Sequence, residues 1–236
     1  QTMAQLLALH PELDTAALQI GSSAGRTLYG LVLDGVNYLS ACPTRSGDYP
    51  YCDVLDLPSY SLAKSVFAAF ALMDLQATHP AALAQRISDH VPECRLPAWR
   101  GVTFAQTLDM ATGNFDSAVF EADELAAKTA GLFLSVDHHD KINYSCTAYA
   151  RRATPGTRWV YHSSDTYVLG VALSHYFRSL PGHGAADSYR DLVYADVYAP
   201  LGLSETTRVT RRTNDATAQP FTGWGLTFQP GDIARL

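Results

Sequence analysis

Apolar and polar positions divide this chain into short elements punctuated by Pro and Gly. Near the start, QTMAQLLALHPEL has the spacing of a short amphipathic helix. From Leu28 to Ala41 (LYGLVLDGVNYLSA), two apolar runs flank Asp34-Gly35, a two-residue turn signal that predicts a β-hairpin. Val54-Leu55-Asp56-Leu57 predicts a further short strand, stopped by Pro58. The next run differs in kind. Leu62 to Leu75 (LAKSVFAAFALMDL) carries no polar stripe, the pattern of a helix that is apolar all round and buried.

Beyond it, His79-Pro80 opens a helical stretch (AALAQRISDHV) that ends near Pro92. Thr103 to Ala111 (TFAQTLDMA) has helical spacing, with Gly113 as a natural stop. Ala122 to Val136 is helical by composition. The His138-His139-Asp140 cluster after it invites a metal reading, but adjacent histidines point in different directions, so a solvated loop is expected. Ser164-Asp165 can cap a helix running to Phe177. A turn (PGHGAAD) and a helix from Tyr189 to Val197 follow, and Pro200-Leu201-Gly202-Leu203 ends that helix. Helices and a few strands segregate along the chain instead of alternating, which predicts an α+β fold.

Composition narrows the function classes. At 236 residues the chain can form one large domain or two small ones, and 47% hydrophobic with 17% charged residues fits a compact soluble protein. The net charge of -6 argues against binding to a phosphate backbone, and Arg151-Arg152 and Arg211-Arg212 read as solvated surface pairs. No apolar run reaches the ~20 residues of a membrane span. The first residues lack the pattern of a signal peptide. Cys42, Cys52, Cys94 and Cys146 allow three pairings; Cys42 and Cys52 close a short polar loop suited to a disulfide. The absence of a CxxC pair argues against zinc, and the even set leans towards an oxidising compartment such as a bacterial periplasm.

One residue breaks the oily helix. Lys64 follows Ser61 by three positions, so on a helix the amine reaches the hydroxyl. A lysine in a partly dry site can lose its proton and take one from serine. The plainer alternative is that Lys64 extends its charge to the surface.

Five stretches then occur in order: SYSLAKS, VTFAQTLDMATGNF, PGTRWVYHSSDTYVLG, VYAPLGLSETT and GWGLTFQPGDIARL, spanning roughly residues 55 to 236. On these the chain resembles the serine β-lactamase and penicillin-binding-protein superfamily. The resemblance is to its class C-like branch, with D-alanyl-D-alanine peptidase, carboxylesterase and 6-aminohexanoate-dimer hydrolase relatives. It implies a β-lactamase/DD-peptidase-like fold, an antiparallel sheet flanked by helices, with a helical lobe at about 65–200 inserted between sheet parts of a single catalytic domain. It implies Ser61 as acyl-accepting nucleophile, Lys64 as its proton-relay partner, and Tyr161 as general base or sharer of the proton. Ser163 stands where many relatives carry asparagine; a hydroxyl can donate and accept but presents no amide. With the Leu108 to Gly113 segment, this leans towards ester or amide hydrolysis over β-lactam hydrolysis. His162 is read as flanking.

The resemblance also implies a third motif on a strand nearer the C-terminus, which supplies an oxyanion-hole donor typically worth about 10²–10³ in rate. Gly182-His183-Gly184 mimics it between the wrong elements and is read as a turn. The C-terminal strands are therefore expected to lie outside these residues, in a longer protein. No metal or organic cofactor is implied, and the expected partner is a small ester or amide, not nucleic acid. The competing readings are a catalytically silent scaffold of this fold and a β-lactam sensor that is acylated without turnover.

Overall fold

The computed structural model describes residues 1–14 and 27–236, which form two compact units. One comprises Gln1–Leu57, Leu203–Thr206 and Thr227–Leu236; the other comprises Pro58–Gly202 and Thr207–Leu226.

In the first unit, helix Met3–Leu9 begins at Thr2, whose side chain accepts from Gln5 N while Gln5 accepts from Thr2 N, a reciprocal capping box. The hairpin forms as the turn signal predicts: Gly30–Leu33 pairs antiparallel with Val36–Leu39. Asp34 and Gly35 both take positive φ (49° and 74°), the requirement of a two-residue turn matched to strand twist. Cys42 and Cys52 are joined, and the loop between them holds the small ladder Pro43–Thr44 with Gly47–Asp48. The strand expected at Val54–Leu57 is displaced: Cys52–Val54 is a 3-10 turn, and extended pairing begins only at Leu57.

The second unit is helical. Helix Ser163–Ser179 is buried along nearly its whole length. Ile87–His90, Phe104–Leu108 and His138–Thr147 pack around it. Gly170 lets a neighbouring segment approach, because a Cβ there would lie 2.3 Å from Thr222 Oγ1. Cys94–Cys146 is the second disulfide, and Trp99 Nε1 donates to the Cys146 carbonyl at 2.9 Å.

Several expectations need correction here. The helix predicted over Ala122–Val136 is reduced to Ala127–Thr129 and Ala130–Leu134. Before it the chain turns through Glu121 at φ +56°, and the Asp123 carboxylate accepts from Asp116 N and Ser117 N. His138-His139-Asp140 is not a loop but the first turn of helix His138–Thr147, capped by Asp137, which accepts from Asp140 N at 2.8 Å. His138 Nδ1 lies 2.9 Å from Tyr167 OH, and burial pushes the imidazole below its ordinary range. The stretch after His79 breaks into Ala82–Ala84 and Ile87–His90. The arginine pairs are only partly solvated. Arg151 donates to the Ala98 and Arg100 carbonyls, and Arg212 forms a two-pronged pair with Asp187 at 2.7 and 2.8 Å. Among the described residues no helix is long and apolar enough to cross a membrane.

Candidate active site

Ser61 is held at the start of a continuous helical run. Ser59 anchors the approach: its N–H donates to the Leu226 carbonyl at 2.9 Å and its Oγ accepts from Leu226 N at 3.2 Å. Tyr60 then takes φ +44°, a left-handed conformation that is strained for a bulky residue and is found at sites where surrounding structure enforces it. Tyr60–Leu62 winds tightly, Lys64–Ala69 winds wide as a π-helix, and Phe70–Thr78 continues as α-helix. Ala63, Phe67, Ala68, Ala71 and Leu72 are buried and fix the run in place. It is not buried all round, since Leu62 and Met73 reach the surface. Ser61 itself is exposed.

Lys64 does not extend to the surface; it is 7% exposed. Its Nζ donates to Ser61 Oγ at 3.0 Å, to Ser163 Oγ at 2.9 Å and to the Gly223 carbonyl at 3.3 Å. The same Nζ stands 4.9 Å from the centroid of the Tyr161 ring. Tyr161 OH donates to Ser61 Oγ at 2.6 Å. The serine oxygen therefore sits between a phenol and an amine.

Tyr161 is delivered by a clamp formed at Leu108 to Gly113. Met110 and Gly113 both adopt positive φ, and their turn offers carbonyls outward. Val160 N donates to Met110 O at 3.0 Å, Gly156 N to Ala111 O at 2.7 Å, and Arg152 N to Gly113 O at 2.8 Å. A Cβ on Gly113 would come 2.2 Å from the Ala153 carbonyl, so the position needs glycine for space as well as for its φ of +81°.

Ser163 opens the long helix, and its partner is a residue that sequence reasoning missed. Glu124 Oε2 accepts from Ser163 N at 3.0 Å, and Glu124 Oε1 from Ser163 Oγ at 2.5 Å. The cap expected from Ser164-Asp165 is thus supplied from 39 residues away. Asp123 pairs in parallel with His162, Nε2 to Oδ2 at 2.9 Å, and the His162 ring stacks on Tyr149 with centroids 4.1 Å apart. His162 is completely buried, so it is a brace for the segment that carries Tyr161 into the helix starting at Ser163. Its Nδ1 faces Asp165 Oδ2 at 3.9 Å. Burial raises the Asp165 carboxyl to about 6, with His162 and the Thr112 hydroxyl opposing the shift.

The structure thus brings together the four residues the sequence singled out, Ser61, Lys64, Tyr161 and Ser163, and adds Glu124 and the Gly223 carbonyl. Gly182-His183-Gly184 lies in a turn after the long helix, with the His183 ring against Phe177. His139 pairs with Asn143 on its own helix, and among the described residues no group of His, Cys, Asp and Glu is arranged to hold a metal ion.

Comparison with known proteins concerns the fold and the family. The fold is similar to that of a penicillin binding protein from Bacillus halodurans (TM-score 0.62, 16% identity, 89% of this chain and 68% of that one). It is also similar to a class C beta lactamase (0.57, 16%, 88% and 57%). A third likeness is to a protein described as a 6-aminohexanoate-dimer hydrolase from Bacillus anthracis (0.56, 18%, 88% and 52%). The chain therefore spans about half to two thirds of the length of these proteins. No curated protein matches the sequence. The Beta-lactamase family model matches residues 57–220, well over half of the chain and including every residue of the site except Gly223, so the chain belongs to the beta-lactamase family.

Proposed function

We propose that the protein is a serine hydrolase that cleaves an ester or amide bond through a covalent acyl-enzyme. The observation that supports it is the exposed Ser61 Oγ held 2.6 Å from Tyr161 OH and 3.0 Å from Lys64 Nζ. In this reading Ser61 Oγ attacks the substrate carbonyl while its proton passes to Tyr161 or Lys64. The tetrahedral oxygen develops at the start of the Ser61 helical run, where the aligned peptide dipoles place partial positive charge. Collapse expels the alcohol or amine, which takes a proton from the same pair of groups. Water then attacks the acyl carbon and gives up a proton to the pair; the acyl carbon–Oγ bond breaks, the carboxylic acid leaves, and the pair returns the proton to Ser61 Oγ.

Ester and short-amide substrates rank above β-lactams because Ser163 offers a hydroxyl where an amide would present a second donor. Residues 1–236 act in this reading as one catalytic domain with a helical lobe at about 65–200. The two disulfides fit an extracytoplasmic site of action.

Intact mass measured before and after a fluorophosphonate, and separately a penicillin, tests the reading. A single adduct is expected from the fluorophosphonate, and none in Ser61→Ala. Hydrolysis of a p-nitrophenyl ester should fall by at least about 10³-fold in the same variant. A folded protein that takes neither reagent would favour a silent scaffold. A penicillin adduct that persists would instead favour a β-lactam sensor.

A further inference from the structure

We infer that Glu124 is a positioning residue that acts through Ser163 to aim the free electron pair of Lys64 at Ser61; the inference rests on the acyl-enzyme reading above. A neutral lysine has two N–H bonds and one lone pair, while a protonated one has three N–H bonds. Lys64 Nζ has three neighbours within hydrogen-bond reach: Ser61 Oγ, Ser163 Oγ and the Gly223 carbonyl. The carbonyl can only accept. The Ser163 hydroxyl could do either, and its direction decides where the lone pair points.

Glu124 removes that choice. Its carboxylate is an acceptor only, and at 2.5 Å from Ser163 Oγ it takes the single hydroxyl proton. Ser163 Oγ then faces Lys64 with lone pairs alone and must accept. Two of the three neighbours of Lys64 thus demand an N–H, and the third direction, towards Ser61 Oγ, is where the lone pair of the neutral amine must lie. When Lys64 receives the serine proton, the new N–H points back along the same line. All three neighbours remain satisfied in both protonation states, so the transfer proceeds without turning a side chain.

The placement of Glu124 is built for this. Asp123 is fixed by Asp116 N, Ser117 N and the buried His162 ring, so its neighbour is presented to Ser163 by a rigid loop. The second carboxylate oxygen is occupied by Ser163 N, which ties the position of Glu124 to the backbone of the residue it orients. Replacing the carboxylate by an amide breaks the logic without emptying the site. Glutamine has one oxygen for two donors, so one contact becomes an NH₂ facing Ser163, and the hydroxyl proton turns towards Lys64.

The test uses Glu124→Gln, Glu124→Asp, Ser163→Ala and the double variant Glu124→Gln/Ser163→Ala. The readouts are p-nitrophenyl ester hydrolysis, the rate of fluorophosphonate adduct formation, and thermal melting. Glu124→Gln is expected to lower kcat by about 10- to 100-fold with KM within twofold, and to slow adduct formation in proportion. Glu124→Asp recovers part of that loss. The double variant is expected to be no slower than the slower single variant, because both changes act on one hydroxyl. A merely structural role would lower the melting temperature and leave kcat per folded molecule unchanged, and that outcome overturns the inference. Fully multiplicative losses also overturn it. If Glu124→Gln does not fold, the split between Glu124→Asp and Ser163→Ala decides: equal full activity in both overturns the inference. Failure of the wild-type chain to form any adduct is a separate result that removes the acyl-enzyme reading and this inference together.

Discussion

The helical unit buries two lysines, and they could hardly be treated more differently. Lys64 and Lys141 are 7% and 1% exposed. Around Lys64 are three oxygen acceptors and the face of the Tyr161 ring, so its charged form has three hydrogen-bond acceptors. Lys141 donates to the Leu132 carbonyl at 2.5 Å, and its Nζ otherwise faces the rings of Phe221 and Trp224 at 5.1 and 5.7 Å. Burial, with Arg211 adding repulsion, pushes the Lys141 amine down to about 8. Burial of a cation is therefore not by itself a mark of chemistry. What separates the two is the neighbour: only Lys64 touches an exposed hydroxyl that is shared with a second proton carrier.

Removing each amine in turn separates the two lysines. Lys64→Met should abolish ester turnover, by about 10³-fold or more, with the fold retained. Lys141→Met should leave turnover within twofold and raise stability by about 1–4 kcal/mol at pH 7, because a poorly paired buried charge is exchanged for an apolar chain of similar length. Parallel kinetics and urea melts on the two variants decide it. Equal loss of turnover in both would mean that Lys141 belongs to the site.

The contrast also explains what the sequence made legible. Lys64 stood out because an apolar run surrounds it and Ser61 lies one turn away, so local spacing alone carried the signal. Lys141 sits in HHDKIN, a polar context that reads as surface, and only tertiary packing places it under Phe221 and Trp224. Glu124 was illegible for the same reason: it meets Ser163 across 39 residues, inside a stretch whose composition predicts an unbroken helix. That helix fails because Asp123 spends its carboxylate on the N–H groups of residues 116 and 117 and on His162. Local turn chemistry did transfer. Asp34-Gly35 formed its hairpin, and Thr103 capped helix Phe104–Leu108 with Gln106 in a reciprocal box. At Asp137 the cap is written in the sequence, three residues before Asp140, and it outweighs the loop reading of the histidine pair.

With the folded amine of Lys141 near 8 and the unfolded one near its ordinary value of about 10.4, the unfolded chain binds the extra proton between those limits. Stability should therefore rise with pH from about 8 to about 10.4, by roughly 3 kcal/mol, and be flat on either side as far as this group is concerned. Urea midpoints taken across that window should climb in the parent protein and lose that climb in Lys141→Met. A slope that survives in Lys141→Met would assign the titration to another group.

Asp165 carries the same reasoning to the acid side and with the smallest expected effect. It lies in the first turn of helix Ser163–Ser179, a position where a carboxylate is normally favoured by the helix dipole. Here burial wins: at 2% exposure, with Thr112 Oγ1 at 3.2 Å as its hydroxyl donor, the carboxyl is raised to about 6. The folded chain holds this proton from about pH 4 to about pH 6, while the unfolded chain has released it. Stability from Asp165 is thus fully present below about pH 4 and is lost as pH rises to about 6, by roughly 2–3 kcal/mol. Asp165→Asn, which keeps an oxygen for Thr112 and cannot ionise, should flatten that limb of the urea-midpoint profile. If the limb persists in Asp165→Asn, the titration belongs to another group and Asp165 is not the source of the acid-side stability change. The expected result leaves both Lys141 and Asp165 shifted towards their neutral forms relative to the unfolded chain, whereas Lys64 is surrounded by oxygen atoms within hydrogen-bond reach.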